Sequence, residues 1–184
     1  MKTNNVKKSI VLALAVLAVY GAPAVFAADA PAQGNVVKKV DFVNISGWGG
    51  RSKFIKGDGQ KYLSLSGDPA QPHNDMYYTF YHMSRLNLNL QGGDQITFKV
   101  SCKLEKLTAG KFQVGVYEFS DPDARRSIRF QCLDVPVSSD WQTLTKTIYL
   151  HPKTQCTRFY FVGRNAGKGD TLLVRGLEVE LHSK

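Results

Sequence analysis

Apolar residues occupy alternate positions near the end of the chain. Leu177, Val179 and Leu181 are separated by Glu178 and Glu180. This period of two is typical of a β-strand with one buried and one solvated face. A strand cannot bury an apolar face alone, so we expect this one to pair with strands formed earlier in the chain.

Similar runs recur upstream, and turn-forming Gly, Pro, Asn and Asp residues separate them. The predicted strands are Val36–Val43, Tyr62–Ser66, Tyr77–Leu90, Gln95–Leu104, Phe112–Phe119, Ser127–Val137, Trp141–Leu150, Thr157–Gly163 and Gly169–Leu181. No helical period is found after the first 27 residues. The pattern predicts an all-β domain. We expect a two-sheet antiparallel β-sandwich of jelly-roll type, in which successive strands alternate between the sheets.

The N-terminal segment, residues 1–27, has the layout of a cleaved signal peptide. Three lysines precede the apolar run Ile10–Val19, and the segment ends in Val-Phe-Ala at Ala27, which fits a signal-peptidase site. A membrane-spanning helix needs about 20 apolar residues, whereas Pro23 interrupts this run. We therefore predict a secreted or periplasmic protein without a membrane span.

The remaining chain is predicted to contain a short linker, residues 28–35, and one β-sandwich domain, residues 36–184. The full sequence has 24 basic and 15 acidic residues, a net charge of +9. Loss of the three leader lysines leaves 21 basic residues and a net charge of about +6. A basic protein is attracted to polyanions. Outside the cytoplasm, an anionic envelope surface or polysaccharide is a better partner than nucleic acid.

Four motifs in this order resemble the carbohydrate-binding modules of the family 4/9 type, within the galactose-binding-like jelly rolls. They are YLSLSG at 62–67, GGDQITFKVSCKLE at 92–105, DWQTLTKTIYL at 140–150 and GDTLLVRGLEVEL at 169–181. The resemblance extends over nearly all of residues 36–182. It implies a non-catalytic protein that recognises a polysaccharide or glycan on one sheet face. The alternative is an envelope structural or protein-interaction β-sandwich without sugar binding.

In the jelly-roll order, the strands at 76–90, 156–164, 111–121 and 125–137 share one sheet, and strand parity predicts its outward face. That face is predicted to carry Tyr77, Tyr81, Arg85, Gln113, Tyr117, Arg129, Gln131, Arg158 and Tyr160. Flat rings stack on the apolar patches of sugars, while Arg and Gln bond their hydroxyl groups. All of these residues except Arg85 are candidate ligand-binding residues, centred on Tyr117, Arg158 and Tyr160. The alternative is that Tyr and Arg are present here as good strand formers, and one bulge would scatter the set.

The two tryptophans have different predicted roles. Trp141 opens a strand and is expected to pack. Trp48 lies in the Gly-rich stretch SGWGG, where its ring either stacks on a sugar or folds over the core.

No catalytic signature is apparent in the sequence. Glu178 and Glu180 have the spacing of a glycosidase carboxyl pair, but alternating Glu residues are also typical of a solvated strand face. The four histidines are scattered. We therefore expect a binding protein rather than an enzyme.

No cofactor or metal ligand set is expected, and a structural calcium ion is left as an open alternative. Asp121 and Asp123 flank Pro122 and are interpreted as turn residues. Modules of the resembled type usually carry an Asp near a structural calcium before the last apolar alternation. Here Arg175-Gly176 holds that place.

The three cysteines allow at most one internal disulfide bond. They are Cys102, Cys132 and Cys156. One interpretation is that all three are small core residues. If a bridge forms, parity favours Cys102 with Cys132, since both are predicted to point inward from different sheets.

Overall fold

The computed structural model describes residues 35–40, 42, 46–50, 53–66 and 76–182. The predicted signal peptide and nearly all of the predicted linker lie outside the described residues. The strands are β1 (Val36–Lys39), β2 (Trp48–Gly50), β3 (Lys53–Gly57), β4 (Gln60–Ser66), β5 (Met76–His82), β6 (Gln95–Leu104), β7 (Lys111–Phe119), β8 (Ser127–Asp134), β9 (Ser138–Tyr149), β10 (Cys156–Arg164) and β11 (Thr171–Leu181).

These strands form two antiparallel sheets packed face to face. Sheet I has the order β3-β4-β11-β6-β9, and β1 also pairs with β11. Sheet II has the order β2-β5-β10-β7-β8. Consecutive strands β5 and β6, β6 and β7, and β9, β10 and β11 lie in alternate sheets. The architecture confirms the predicted all-β sandwich of jelly-roll type.

The C-terminal strand is central in sheet I, as its pattern predicts. β11 pairs with β1, β4 and β6. A bulge between Val174 and Gly176 changes the spacing of its apolar residues from two to three. Because of this bulge, Val174 and Leu177 both remain on the buried face. Leu172 and Val179 are fully buried on the same face.

The core lies between the two sheets. Phe98 of β6 is fully buried, as are Phe112 of β7 and both Phe159 and Phe161 of β10. The rings of Phe98 and Phe159 meet edge to face across the sandwich, with centroids 5.0 Å apart. The alternating apolar residues of these strands were predicted to point inward, and they do.

The predicted strand Tyr77–Leu90 is too long. β5 ends at His82 and a short 3₁₀ helix, Met83–Leu86, follows. Asn87 and Asn89 then adopt left-handed backbone conformations, with φ values of 53° and 48°. A pleated strand cannot pass through such residues, whereas Asn tolerates them well.

Trp48 folds over the core and does not stand out from the surface. Its ring centroid lies 5.3 Å from that of Phe42 and 5.1 Å from that of Tyr81. It also stacks on Phe161 at 5.9 Å. Of the two roles left open for this residue, the structure selects packing.

The three cysteines are free thiols. Cys102 is buried between the sheets. Cys132 lies opposite Gly115, two residues from Phe130, and therefore on the outward side of sheet II. The prediction that Cys132 points inward was wrong, because the parity predicted for β8 was reversed; the conditional Cys102–Cys132 pairing depended on it.

In the described part of the chain, no helix has the length and hydropathy needed to cross a membrane.

Candidate functional site

Strand register defines the outward face of sheet II. Arg158 of β10 lies opposite His82 on one side and Tyr117 on the other. Tyr117 in turn lies opposite Phe130 of β8. Paired residues project to the same side of a sheet, and so do residues two apart on one strand. We call the resulting surface the aromatic face; its members are Tyr78, Phe80, His82, Tyr117, Phe130, Arg158 and Tyr160.

The rings of the aromatic face contact one another across four strands. Tyr160 is at the centre, with ring centroids 5.6 Å from Tyr78, 5.2 Å from Phe80 and 4.9 Å from Tyr117. Tyr117 also stacks on Phe130 at 4.3 Å, with only 9° between the planes. Adjacent strands lie about 4.8 Å apart, so the ring surface is roughly 14 Å wide. Each ring is held by its neighbours.

These rings remain partly accessible to solvent. Tyr78 is 38% exposed, and Phe80, Tyr117, Phe130 and Tyr160 are each half-buried. A contiguous, partly exposed aromatic surface on a folded domain marks a site of interaction.

Arg158 is the cation of this face. Its guanidinium carbon lies 4.8 Å from the ring centroid of Phe80 and 5.5 Å from that of Phe119. Burial raises the pKa of the neighbouring Tyr160 hydroxyl, and a hydrogen bond from Arg158 opposes that rise. The guanidinium is therefore positioned among rings, where cation–π attraction favours it.

At one end, the aromatic face opens into a cleft of about 890 Å³. His82 and Arg158 belong to both surfaces, and Asn87, Asn89 and Gln155 supply amide groups to the cleft wall. Burial lowers the pKa of His82, and the positive charges of Arg158 and Arg85 lower it further. Flat rings beside a polar cleft can hold a ligand that has both apolar and hydroxylated surfaces.

The structure brings together three of the predicted site residues: Tyr117, Arg158 and Tyr160. Gln113 lies on the same side of sheet II but is buried. Its amide donates to Asp134 at 2.6 Å and accepts from Arg164 at 2.7 Å. Gln113 therefore supports the sheet edge and has no free amide group directed at solvent.

The parity predicted for β5 was wrong. Tyr81 points inward, is 8% exposed and packs against Trp48. Arg85 lies in the 3₁₀ helix rather than in a strand. The side chain of Tyr77 is outside the described residues. Tyr78 and Phe80 take the outward positions that were assigned to Tyr77 and Tyr81.

The parity predicted for β8 was also wrong. Arg129 and Gln131 lie on the opposite side of the strand from Phe130 and form hydrogen bonds with Glu118. β8 is an edge strand, so long polar side chains on its inner side reach the rim of the sandwich and still find partners. These two residues do not belong to the aromatic face.

Glu118 of β7 is a fully buried carboxylate. It accepts hydrogen bonds from Arg129 Nε at 2.6 Å, Gln131 Nε2 at 2.7 Å and Thr154 Oγ1 at 2.7 Å. The backbone N–H of His151 also donates to it. Burial alone raises the pKa of Glu118, but these hydrogen bonds outweigh burial and lower it. The network joins β7, β8 and the turn after β9, which fixes the edge next to the aromatic face.

Sequence reasoning missed Tyr78, Phe80, His82 and Phe130. A signal was present, since the segment MYYTFYH has ring side chains at alternate positions 78, 80 and 82. The same segment has tyrosines at 77 and 81, so its pattern fits either parity. Phe130 lies between Arg129 and Gln131, so the prediction that those two point outward placed Phe130 in the core.

The two carboxylates of the turn after β7, Asp121 and Asp123, have partners within the same turn. Asp121 accepts from the backbone N–H groups of Arg125 at 3.0 Å and Arg126 at 2.6 Å, and these bonds lower its pKa. Among the described residues, no group of three or more His, Cys, Asp or Glu side chains is placed to hold a metal ion.

At the position discussed for calcium, Arg175 lies over the ring of Trp141, with 4.5 Å between the guanidinium carbon and the ring centroid. Trp141 also packs on Tyr62.

No protein-family model matches the sequence, and no curated protein matches it either. Solved structures do match the fold. The xylan-binding module CBM15 superposes with a TM-score of 0.54 at 14% identity, covering 82% of this chain and 99% of that module. The CBM22-1–CBM22-2 tandem domain of Paenibacillus barcinonensis Xyn10C gives a TM-score of 0.56 at 11% identity, covering 84% of this chain and 47% of that one. The chain has the jelly-roll fold of carbohydrate-binding modules.

The Clostridium thermocellum xylanase 10B CBM22-1–GH10 structure, complexed with xylohexaose, matches at a TM-score of 0.51 and 10% identity. That match covers 80% of this chain and 26% of the xylanase chain, so this protein spans about a quarter of that enzyme's length. At these identities the similarity concerns the fold. Assignment to family 4/9 stays a prediction, since the matched modules carry several other family numbers.

Proposed function

We propose that this protein is a secreted, non-catalytic carbohydrate-binding protein that holds a polysaccharide or glycan chain along the aromatic face. The observation that carries the proposal is the unbroken contact of Tyr78, Tyr160, Tyr117 and Phe130 across four strands. Rings fixed in this way lose little conformational freedom when a sugar stacks on them. The shared fold with carbohydrate-binding modules supports the same proposal.

The width of the face suits a chain of sugars. The ring surface extends over roughly 14 Å, as the spacing of four strands requires, and so offers stacking positions for more than one sugar of a chain. Stacking on rings requires no charge, so the aromatic face supplies general affinity for pyranose C–H patches. Arg158 and the amide groups of the adjoining cleft supply the hydrogen bonds that fix orientation.

Binding without catalysis is proposed because three carboxylates that could act as acid, base or nucleophile are already engaged. Glu118 is hydrogen-bonded to four donors. Asp170 accepts from Thr108 at 2.9 Å and from Gly167 at 2.8 Å. Glu178, half of the pair considered for glycoside cleavage, forms an ion pair with Lys39 at 3.0 Å. None of these three is in position to attack or protonate a ligand on the aromatic face.

A glycan array probed with the purified protein, followed by calorimetry on the best ligand, tests the proposal. Tyr78→Ala removes an exposed stacking ring and should weaken binding by about 1–2 kcal/mol, or roughly 5- to 30-fold. Tyr149→Ala is the matched control, because Tyr149 is a 63% exposed tyrosine on sheet I. Binding that Tyr78→Ala and Tyr160→Ala leave unchanged would contradict the proposed face. If no glycan binds and a protein partner is captured instead, the interaction-protein alternative replaces it.

Export is part of the same proposal. N-terminal sequencing of the protein recovered from the periplasm or medium should begin at Ala28. Material that retains residues 1–27 would contradict cleavage of the signal peptide.

A further inference from the structure

Among the described residues, Arg158 has no acidic partner, in contrast to three other cations of sheet II and its turns. Arg129 pairs with Glu118 at 2.6 Å, Arg125 with Asp123 at 3.6 Å, and Lys111 with Asp134 at 3.3 Å. Within the described residues, no carboxylate forms an ion pair with Arg158. A half-buried cation without a counter-charge has lost part of its hydration and has no full replacement for it.

The contacts that Arg158 does make leave its hydrogen-bonding capacity incompletely used. Among the described residues, its Nε is buried and has no hydrogen-bond partner. Its Nη2 lies 3.5 Å from the carbonyl oxygen of Asp123, at the outer limit of a hydrogen bond. The Tyr160 hydroxyl accepts one hydrogen bond from Arg158. Ring contacts with Phe80 and Phe119 fix the guanidinium but do not satisfy its remaining N–H donors. A carboxylate entering from the cleft would accept hydrogen bonds from the terminal NH₂ groups of the guanidinium.

The cleft is rich in hydrogen-bond donors, and its two arginines outnumber its acidic side chains among the described lining residues. Arg125 lines it, and 81% of its side chain is exposed. Asp123 is the one acidic residue on the cleft wall among the described residues; its side chain is 67% exposed and is already paired with Arg125. The lowered pKa of His82, which follows from burial and from the charges of Arg158 and Arg85, is a second sign of positive potential here. An anion entering the cleft would meet that potential in a partly desolvated place.

We propose that the cleft is a subsite for an acidic sugar, in which Arg158 binds the carboxylate of a uronic acid residue and Arg125 assists from the rim. The inference rests on the proposed function, since the aromatic face would hold the neighbouring sugars of the same chain. Arg is suited to this role because its planar fork matches the two oxygens of a carboxylate. The ligand class is therefore a uronate-containing polysaccharide rather than a neutral glucan or xylan.

The test compares three oligosaccharides by calorimetry at low and moderate salt: a hexagalacturonate, its fully methyl-esterified form, and a neutral xylohexaose. The uronate should bind at least about tenfold more tightly than its ester, because hydrogen bonds between charged groups are roughly twice as strong as neutral ones. Its affinity should fall as salt rises, whereas that of the ester should not.

Arg158→Gln should weaken uronate binding about 10- to 100-fold while changing ester binding by less than about threefold. Arg125→Gln, at an exposed side chain, should weaken uronate binding by a smaller factor and leave folding intact. Lys99→Gln is the control, since it removes one positive charge from the exposed face of sheet I. A sulfated hexasaccharide distinguishes a carboxylate site from a general anion site.

Equal affinity for the uronate and its ester, or equal losses in Lys99→Gln and Arg158→Gln, would overturn the acidic-sugar subsite while leaving the proposed function in place. Tighter binding of the sulfated chain than of the uronate would overturn the carboxylate assignment. If no oligosaccharide binds, or if Tyr78→Ala and Tyr160→Ala have no effect on any binding, both proposals are wrong.

Discussion

Glu118→Gln tests whether a buried carboxylate holds the edge of the sandwich together. Glu118 is fully buried, and its two oxygens accept from Arg129, Gln131, Thr154 and the backbone N–H of His151. Glutamine has almost the same shape but replaces one oxygen with an NH₂ group. In either orientation, that group faces donors instead of supplying an acceptor.

The magnitude follows from the contacts that are lost. A hydrogen bond to a charged group contributes about 1.5–3 kcal/mol, and a buried unsatisfied donor costs about 1–3 kcal/mol. Removal of one partner of a buried ion pair costs about 3–5 kcal/mol. The upper end does not apply here, because the Arg129 side chain is 42% exposed and water can solvate it. We expect the free energy of unfolding to fall by about 2–4 kcal/mol, equivalent to about 5–15 °C in Tm.

The effect should depend on pH. Because the pKa of Glu118 is lowered in the folded protein, its charge stabilises the fold above the ordinary glutamate pKa of about 4.3. That contribution is lost as the pH falls through the folded-state pKa. Wild type and Glu118→Gln should therefore differ most at neutral pH and converge as the solution is acidified below about pH 4.

Urea denaturation at pH 7 and at pH 3.5, followed by tryptophan fluorescence, measures both effects. Glu105→Gln is the matched control, since Glu105 is 63% exposed and pairs with Lys103 at the surface. It should change stability by less than about 1 kcal/mol. If the free energies of unfolding of Glu118→Gln and wild type at pH 7 differ by less than about 0.5 kcal/mol, the lost contacts do not contribute roughly 1–3 kcal/mol each, and the reasoning is refuted.

Two further predictions concern packing and the thiols. Gly115→Ala should lower the free energy of unfolding by about 1–3 kcal/mol, because an added Cβ would lie 2.2 Å from the carbonyl oxygen of Gln131. Gly176→Ala is the control, since the nearest atom to its added Cβ is 3.6 Å away. Equal melting temperatures for the two variants would contradict the prediction. Burial raises the pKa of Cys102 to about 11, so iodoacetamide should label the less buried cysteines of the native protein first. A time course of labelling followed by mass spectrometry measures the order, and early labelling of Cys102 would contradict its buried position.

Much of the fold was predictable from the sequence because the core strands have one apolar face each. In β6, Ile96, Phe98 and Val100 alternate with polar residues, and burying the apolar set leaves one possible orientation. The final strand has the same property and lies in the centre of sheet I, as its pattern implied. Turn residues between the runs then marked most of the strand boundaries.

The aromatic face was less predictable because hydrophobicity does not mark the outward side of its strands. In β5, Tyr78 and Tyr81 are chemically equal, and only pairing with β10 places Tyr81 in the core and Tyr78 outside. In β8, apolar Phe130 points outward onto Tyr117, while polar Arg129 points inward to a buried acid. Hydrophobicity assigns a side only when the other side is solvated and polar. Where rings cover both sides, as in β5, the sequence by itself determines that a strand is present, and the tertiary contacts with its neighbours decide which residues point outward.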